Sequence, residues 1–298
     1  MADCATVKPS TTIIGSAVCQ VCEGELLFER HPWLLRCKQC GFLASTLKGK
    51  INAPDRRVDE ARRVAALRPI RSANFEQVLD ALARVGLPAS ARILDVGCAH
   101  GWFLQQAAAR GYRPLGIEPD DAVADVAMAG GADVRVGLFP DILADGEQFD
   151  AIVFNDVLEH LPNVATAVTA VRRHLSPGGF FVANIPLSSG FFYNLASWLD
   201  HLGIHAPFER MWQKPYPSPH VSYFSASQLV QLAERNGFVL LEQETLTSLR
   251  IDGLWERLRA DRANRIPAAL LIWAALALLA PMLRLLPHDI GLFTFGTR

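Results

Sequence analysis

The sequence predicts an α/β fold, a parallel sheet layered with helices, behind a small metal-bound module. Three observations predict it. From Ala91 onward, apolar runs of strand length alternate with amphipathic helical stretches, the pattern of strand–helix–strand units. Ahead of them, four cysteines fall in two close pairs. The 298 residues are 50% apolar, enough to bury a full core and carry a satellite module.

The module comes first. Cys19 and Cys22 form one C-x2-C pair and Cys37 and Cys40 the other, with Gly24 and Gly41 shortly after each. Two thiolates on each of two tight knuckles complete a tetrahedral S4 site, so residues 15–48 read as a zinc ribbon with a structural Zn2+. Paired redox C-x-x-C motifs are the alternative. So few residues bury too little apolar area to fold alone, so the metal would supply the stability. Cys4 and Cys98 have no partner at useful spacing. The first reads as a tail residue and the second as part of a loop. The opening MADCATVKPSTTIIGS has no basic segment followed by an apolar one, so no signal peptide and a cytoplasmic catalytic domain are expected.

Residues 49–90 read as a helical linker. The stretch 51–68 is charged and alanine-rich, and a second helix at Ala73 to Val85 sets Phe75, Val78, Leu79 and Leu82 on one face. The main domain, 91–249, follows. Its strands are expected at Ile93–Val96, Pro114–Glu118, Val134–Val136, Ala151–Asn155, Phe180–Ile185 and Phe238–Leu241. Helices are expected at Trp102–Arg110, Asp121–Met128, Val164–Leu175 and Ala226–Asn236, the last opened by a capping box of Ser225 and Gln228. After a hydrophobic insertion at 250–287, the stretch Gly291 to Gly296 within 288–298 reads as a seventh strand of the same sheet.

Chemistry concentrates at the strand ends. The first strand runs into Leu94-Asp95-Val96-Gly97-Cys98-Ala99-His100-Gly101. A cofactor lying across strand ends needs a turn free of bulky side chains, so that backbone can approach it. A dinucleotide fold would use G-x-G-x-x-G around a pyrophosphate. Here the spacing is G-x-x-x-G, and Asp95 repels phosphate while suiting a cationic amino acid moiety. Glu118 stands 23 residues after Asp95, in Gly116-Ile117-Glu118-Pro119, where a carboxylate accepts ribose hydroxyls; a solvated loop acid is the plainer reading. Phe149 to His160 supplies a further strand and turn, with Asn155 at the strand end, and Leu175-Ser176-Pro177-Gly178-Gly179 precedes the next strand.

These stretches, in this order, resemble the class I S-adenosylmethionine (SAM)-dependent methyltransferases, with Ala99 in place of the middle glycine of their first turn. The closer resemblance is to the subgroup in which paired C-x2-C motifs precede the methyltransferase fold, and in which a histidine, an aromatic pair and a serine precede the final helix, here His220-Val221-Ser222-Tyr223-Phe224-Ser225. The resemblance implies a Rossmann-like sheet of seven strands, the last antiparallel, and SAM held by Asp95, Gly97, Cys98, Gly101, Glu118, Pro119 and Asn155. It also implies methyl transfer to a small-molecule, sugar, glycolipid or lipid-linked acceptor, and it fixes the reaction better than the acceptor.

Methyl transfer to a hydroxyl benefits from a general base. His220 is the first candidate and His160 the second; the alternative is a ring that satisfies a backbone group or packs under the lid. The segment from Gly190 to Phe224 holds nine aromatics in 35 residues, against 9% over the chain. It reads as a lid over an apolar or ring-shaped acceptor, or as aromatics sealing the sheet edge.

Pro267 to Leu283 is the most apolar run, flanked by Arg257, Arg259, Arg262, Arg265 and Arg284. Its 17 residues border on a membrane span, but a crossing would strand the seventh strand beyond the bilayer. An interfacial or re-entrant helix over 266–287, broken near Pro281 and peripheral at the membrane, is expected. The alternative is a helix buried against protein. Lysine and arginine total 29 against 30 acidic residues, which provides no field for gathering nucleic acid. An RNA methyltransferase using the ribbon as a grip, and a non-catalytic SAM-binding assembly module, stand as the competing functions.

Overall fold

The computed structural model describes residues 18–53, 57–283 and 285–298; the opening segment with Cys4, and Arg284, lie outside them. The ribbon is a meander of β1 (Leu26–Phe28), β2 (Leu34–Cys37) and β3 (Leu43–Ser45), each pair antiparallel. Its glycine-punctuated knuckles bring the four cysteines together.

One helix, α1 (Glu60–Arg84), replaces the two expected over 51–85. Asp59 caps it by accepting from the Arg62 amide at 3.2 Å. Pro69 lies inside it and forfeits a single intrahelical bond. That loss is offset because Ala66, Ile70, Phe75, Val78, Leu79 and Leu82 are buried along one face. Phe75, Val78, Leu79 and Leu82 share a core with Ile93, Val153 and Leu292 of the sheet.

The strands and helices then alternate: β4 (Arg92–Val96), α2 (Trp102–Ala109), β5 (Arg113–Glu118), α3 (Asp121–Ala129), β6 (Val134–Val136), β7 (Phe149–Asn155), a 3-10 turn (Leu158–His160), α4 (Val164–His174) and β8 (Leu175–Pro186). Strand β8 begins five residues before the expected Phe180, taking in the Ser176–Gly179 stretch. Next come α5 (Phe191–His201), α6 (Ala206–Met211), β9 (Ser222–Tyr223), α7 (Ala226–Arg235), β10 (Phe238–Leu246), α8 (Leu254–Ala260), α9 (Ile266–Leu283) and β11 (Ile290–Thr297). The Ser225–Gln228 capping box opens α7 as expected.

Seven strands form the main sheet in the order β10-β11-β8-β7-β4-β5-β6. Strand β11 is antiparallel to both neighbours, and the pairs β4–β5, β4–β7, β5–β6 and β7–β8 are parallel. From β4 the chain winds outward through β5 and β6, then returns to β7 on β4's other side. This reversal opens a crevice at the carboxyl ends of β4 and β7, where ligands bind in such sheets.

The ribbon is built into the larger unit. Strand β9 extends its sheet, pairing Leu43 with Tyr223 and Ala44 with Ser222. Trp33, Leu34 and Leu43 share a core with Tyr193, Phe208, Trp212 and Tyr223. The buried aromatics Tyr193, Phe208, Trp212 and Tyr223 therefore grip the ribbon, whereas Trp198 is largely exposed, at 58%. A charged clasp fixes the same joint: Asp200 accepts from Arg30, lies 2.9 Å from His31 Nε2 and 2.7 Å from His205 Nδ1.

Helix α9 runs on through Pro281 to Leu283 without the expected break, because a proline two residues from a helix end removes only one bond. Leu270, Leu271, Leu278 and Met282 are exposed along it and Ala269 is buried. Among the described residues, no helix is long and apolar enough to cross a membrane.

Candidate active site

The turn after β4 is shaped by backbone that side chains would obstruct. Gly97 has φ +71°, and a Cβ there would lie 2.7 Å from Val157 Cγ2. Ala99, where the resemblance expects glycine, adopts φ +47°, a region that costs a non-glycine residue roughly 1 kcal/mol. Gly101 caps α2. Cys98 is buried, with Sγ directed at the backbone of Gly116, so its side chain belongs to the core.

Asp95 and Glu118 end the two strands flanking this turn. Asp95 is 1% exposed; burial pushes its carboxyl up to about 8, with Glu118 adding to the effect and a hydrogen bond from Asn155 opposing it. Glu118 is raised as well, again chiefly by burial. Its two oxygens accept from the amides of Ala99 at 2.9 Å and Asp120 at 3.0 Å, each keeping a lone pair for a further donor. Pro119 follows directly. Asn155 Nδ2 donates to Asp95 Oδ1 at 3.0 Å, and its own Oδ1 is buried without a partner.

Beyond β7, the 3-10 turn meets the approach to β9. The Val221 amide donates to the Glu159 carbonyl at 2.7 Å, which brings His160 and His220 edge to face at 4.8 Å. Burial lowers His160 to about 4 and takes His220 well below its ordinary value, so both rings are neutral at physiological pH. Burial likewise raises the Glu159 carboxyl, with Asp156 contributing. Sequence reading passed over Glu159, Gln213 and the Asp200 clasp; only the run Leu158-Glu159-His160 past a strand end hinted at the first.

Next to the histidines, a cavity of about 450 Å3 lies between the chain leaving the ribbon and the loop after α6. Lys48, Lys50, Arg57, Lys214, Tyr216 and Pro219 line it, with no carboxylate in its wall among the described residues. Pro219 ties it to the pair, since its carbonyl accepts from His160 Nδ1 at 3.0 Å.

At the ribbon, Cys19 Sγ lies 3.6 Å from Cys40 Sγ, and Cys22 Sγ lies 3.4 Å from Cys37 Sγ. All four lie within 4.8 Å of one another. Tetrahedral Zn–S bonds of about 2.3 Å separate sulfurs by roughly 3.8 Å, so the donor set fits.

The crevice at the strand switch passes the same kind of test for SAM. A turn that excludes Cβ atoms at Gly97, a buried acid for a cation, a second acid with free lone pairs and an orphaned amide oxygen converge on one strand switch. Fold and crevice together define a class I SAM-dependent methyltransferase. The family model described as "Methyltransferase domain" matches residues 70–243, and the chain belongs to that family. A curated relative, the ubiquinone biosynthesis O-methyltransferase of Xylella fastidiosa (strain M23), is 29% identical over 175 residues, covering 47% of this chain and 68% of its own length. Phosphoethanolamine N-methyltransferase 2 of Haemonchus contortus, solved with SAM, aligns with TM-score 0.53 at 19% identity over 74% of this chain and 52% of its own. The [4+2]-cyclase SpnF aligns equally well, TM-score 0.53 at 16% identity, over 85% and 87%. The shared fold alone therefore does not fix the reaction, and the family match carries that step.

Proposed function

We propose that this enzyme methylates a hydroxyl of a phosphate-bearing acceptor, a small sugar derivative or a lipid-linked precursor. The basic cavity beside His160 carries the reading. Lys48 and Lys50 have no ion-pair partner among the described residues, and Lys214 is paired with Glu209. Unpaired cations in a concave wall favour a phosphate. Oxygen as the methylated atom is supported by the name of the Xylella relative.

In this reading Asp95 faces the cationic amino acid end of SAM, Glu118 accepts from the ribose, and Asn155 orients the methionine part. The backbone of Gly97, Cys98 and Gly101 lets the cofactor approach, with Pro119 at its flank. SAM supplies a methyl already activated on a sulfonium. The chain aligns the hydroxyl with it, a positioning effect of up to about 7–11 kcal/mol. The neutral His160–His220 pair takes the proton, with His220 foremost; a base contributes about 10²–10⁴-fold. The cysteines hold a structural Zn2+, and helix α9 rests on lipid.

Radiolabelled methyl transfer into sugar-nucleotide and polyprenyl-phosphate extracts tests this. His220→Gln should cut turnover at least about 100-fold with SAM affinity held, and the pair Lys48→Gln and Lys50→Gln should raise KM for the acceptor. Unchanged turnover in the first variant removes the base. Labelling of bulk RNA in place of either extract replaces the acceptor.

A further inference from the structure

Three side chains converge where the 3-10 turn meets the approach to β9, two of them with a buried atom that has no partner. One ligand atom from each of Glu159, His160 and His220 lies within 4.8 Å of the other two. His160 is anchored from its far side: Nδ1 donates to the Pro219 carbonyl at 3.0 Å, which leaves the lone pair on Nε2. His220 is held likewise, with Nε2 at 2.8 Å from the side-chain amide of Gln213. The Gln213 atom placed there is Nε2; with the amide's nitrogen and oxygen exchanged, the ring Nε2 donates to the Gln213 oxygen and Nδ1 holds the lone pair. That Nδ1 is buried without a partner, and so is Glu159 Oε2; the two residues are 6% and 2% exposed.

An unpaired buried acceptor costs about 1–3 kcal/mol, and more when charged. With Glu159 as the carboxylate, the three ligand atoms are acceptors within 4.8 Å of one another. Asp156 adds a second acid to the neighbourhood, balanced by Arg71 at 3.9 Å. A cation is the partner such a set lacks.

We propose that Glu159, His160 and His220 bind a divalent transition-metal ion. Two imidazoles with one carboxylate suit Zn2+, Fe2+ or Ni2+ better than Mg2+ or Ca2+. Holding each far ring nitrogen on a carbonyl or amide is the usual outer support of metal-bound histidine. Three protein ligands also leave a coordination position open, unlike the four-thiolate ribbon. The use of that position rests on the hydroxyl acceptor of the reading above: with both rings as ligands the ion takes over the task of the base, and an acceptor hydroxyl bound there gives its proton to water more readily. The oxygen then forms the new C–O bond, and the C–S electron pair returns to sulfur. Metal binding itself does not depend on that reading.

Cobalt reconstitution of the full chain under reducing conditions tests the site. Wild type should take up an ion beyond the one held by the ribbon, with ligand-field bands but no thiolate charge transfer. Glu159→Gln and His220→Asn should each lose that ion while keeping the ribbon's thiolate-to-cobalt absorption, which also reports that the variant is folded. A wild-type spectrum of thiolate character only, or equal uptake by wild type and both variants, overturns the proposal. SAM titration of the same samples is read separately: failure to bind SAM sinks the proposed reaction and leaves the metal result standing.

Discussion

Asn155 reaches across the switch point of the sheet and donates to Asp95 at 3.0 Å, tying the end of β7 to the end of β4. That bond holds a carboxyl whose burial raises it to about 8. In the free protein at neutral pH the group is therefore largely protonated, whereas a cationic ligand calls for the carboxylate.

SAM binding should accordingly release a proton. Affinity should rise with pH toward about 8 and level off above it. Because an acid raised in the folded state favours the protonated fold, its stabilising contribution is full below the unfolded value. It is lost as pH climbs to about 8. Calorimetry of SAM binding at pH 7 in buffers of different ionisation enthalpy reads the proton directly, and a heat independent of buffer rejects the linkage. Asp95→Asn should weaken binding by roughly 10–150-fold, the worth of a charged hydrogen bond.

Ala99 occupies φ +47° where glycine would rest without strain. Ala99→Gly should relieve the local strain while loosening the unfolded chain, for a net gain of no more than about 1 kcal/mol. Thermal unfolding measures it. A destabilisation beyond about 1 kcal/mol would mean that the alanine methyl contributes packing at the turn.

The proposed ribbon zinc should be felt at His220. Ser45 N donates to the Val221 carbonyl at 2.9 Å and Ser45 Oγ to the His220 carbonyl at 3.0 Å, and Gln228 Nε2 donates to the Cys40 carbonyl at 2.7 Å. Stripping the metal, or Cys37→Ser, should raise amide exchange at 221–224 along with the ribbon, since a metal-stabilised module unfolds without its ion. Protection at 221–224 that survives metal removal shows that β9 stands without β3.

The exposed leucines of α9 give the membrane proposal its test. Leu271 and Leu278 are 73% and 80% exposed. The protein should float with phosphatidylglycerol vesicles, and the double change Leu271→Glu and Leu278→Glu should leave it in the dense fraction. Equal flotation of both proteins points to protein contact for this face.

Period and turn chemistry made the main sheet legible: Ile93–Val96 and Val134–Val136 needed only apolar runs between glycine-rich turns, and Ser225 with Gln228 announced α7. Helix α1 reads as two because the charged, alanine-rich stretch 51–68 lacks the apolar spacing of Phe75, Val78, Leu79 and Leu82, while its burial against β4 and β11 is a tertiary matter. For the same reason the aromatics after Gly190 suggested a lid, although Tyr193, Phe208, Trp212 and Tyr223 bury themselves against Trp33 of the ribbon.

What the chain's own order of residues determined was local: strands, turns, the C-x2-C knuckles and the acids at two strand ends, all set by interactions within a few positions. Only the tertiary structure joined β3 to β9, separated by more of the chain than any periodicity spans. It also set Glu159 against His220 and gathered Lys48 and Lys214 into one cavity. Those pairings depend on which buried surfaces fit and which polar groups find partners, and neither is written in spacing along the chain.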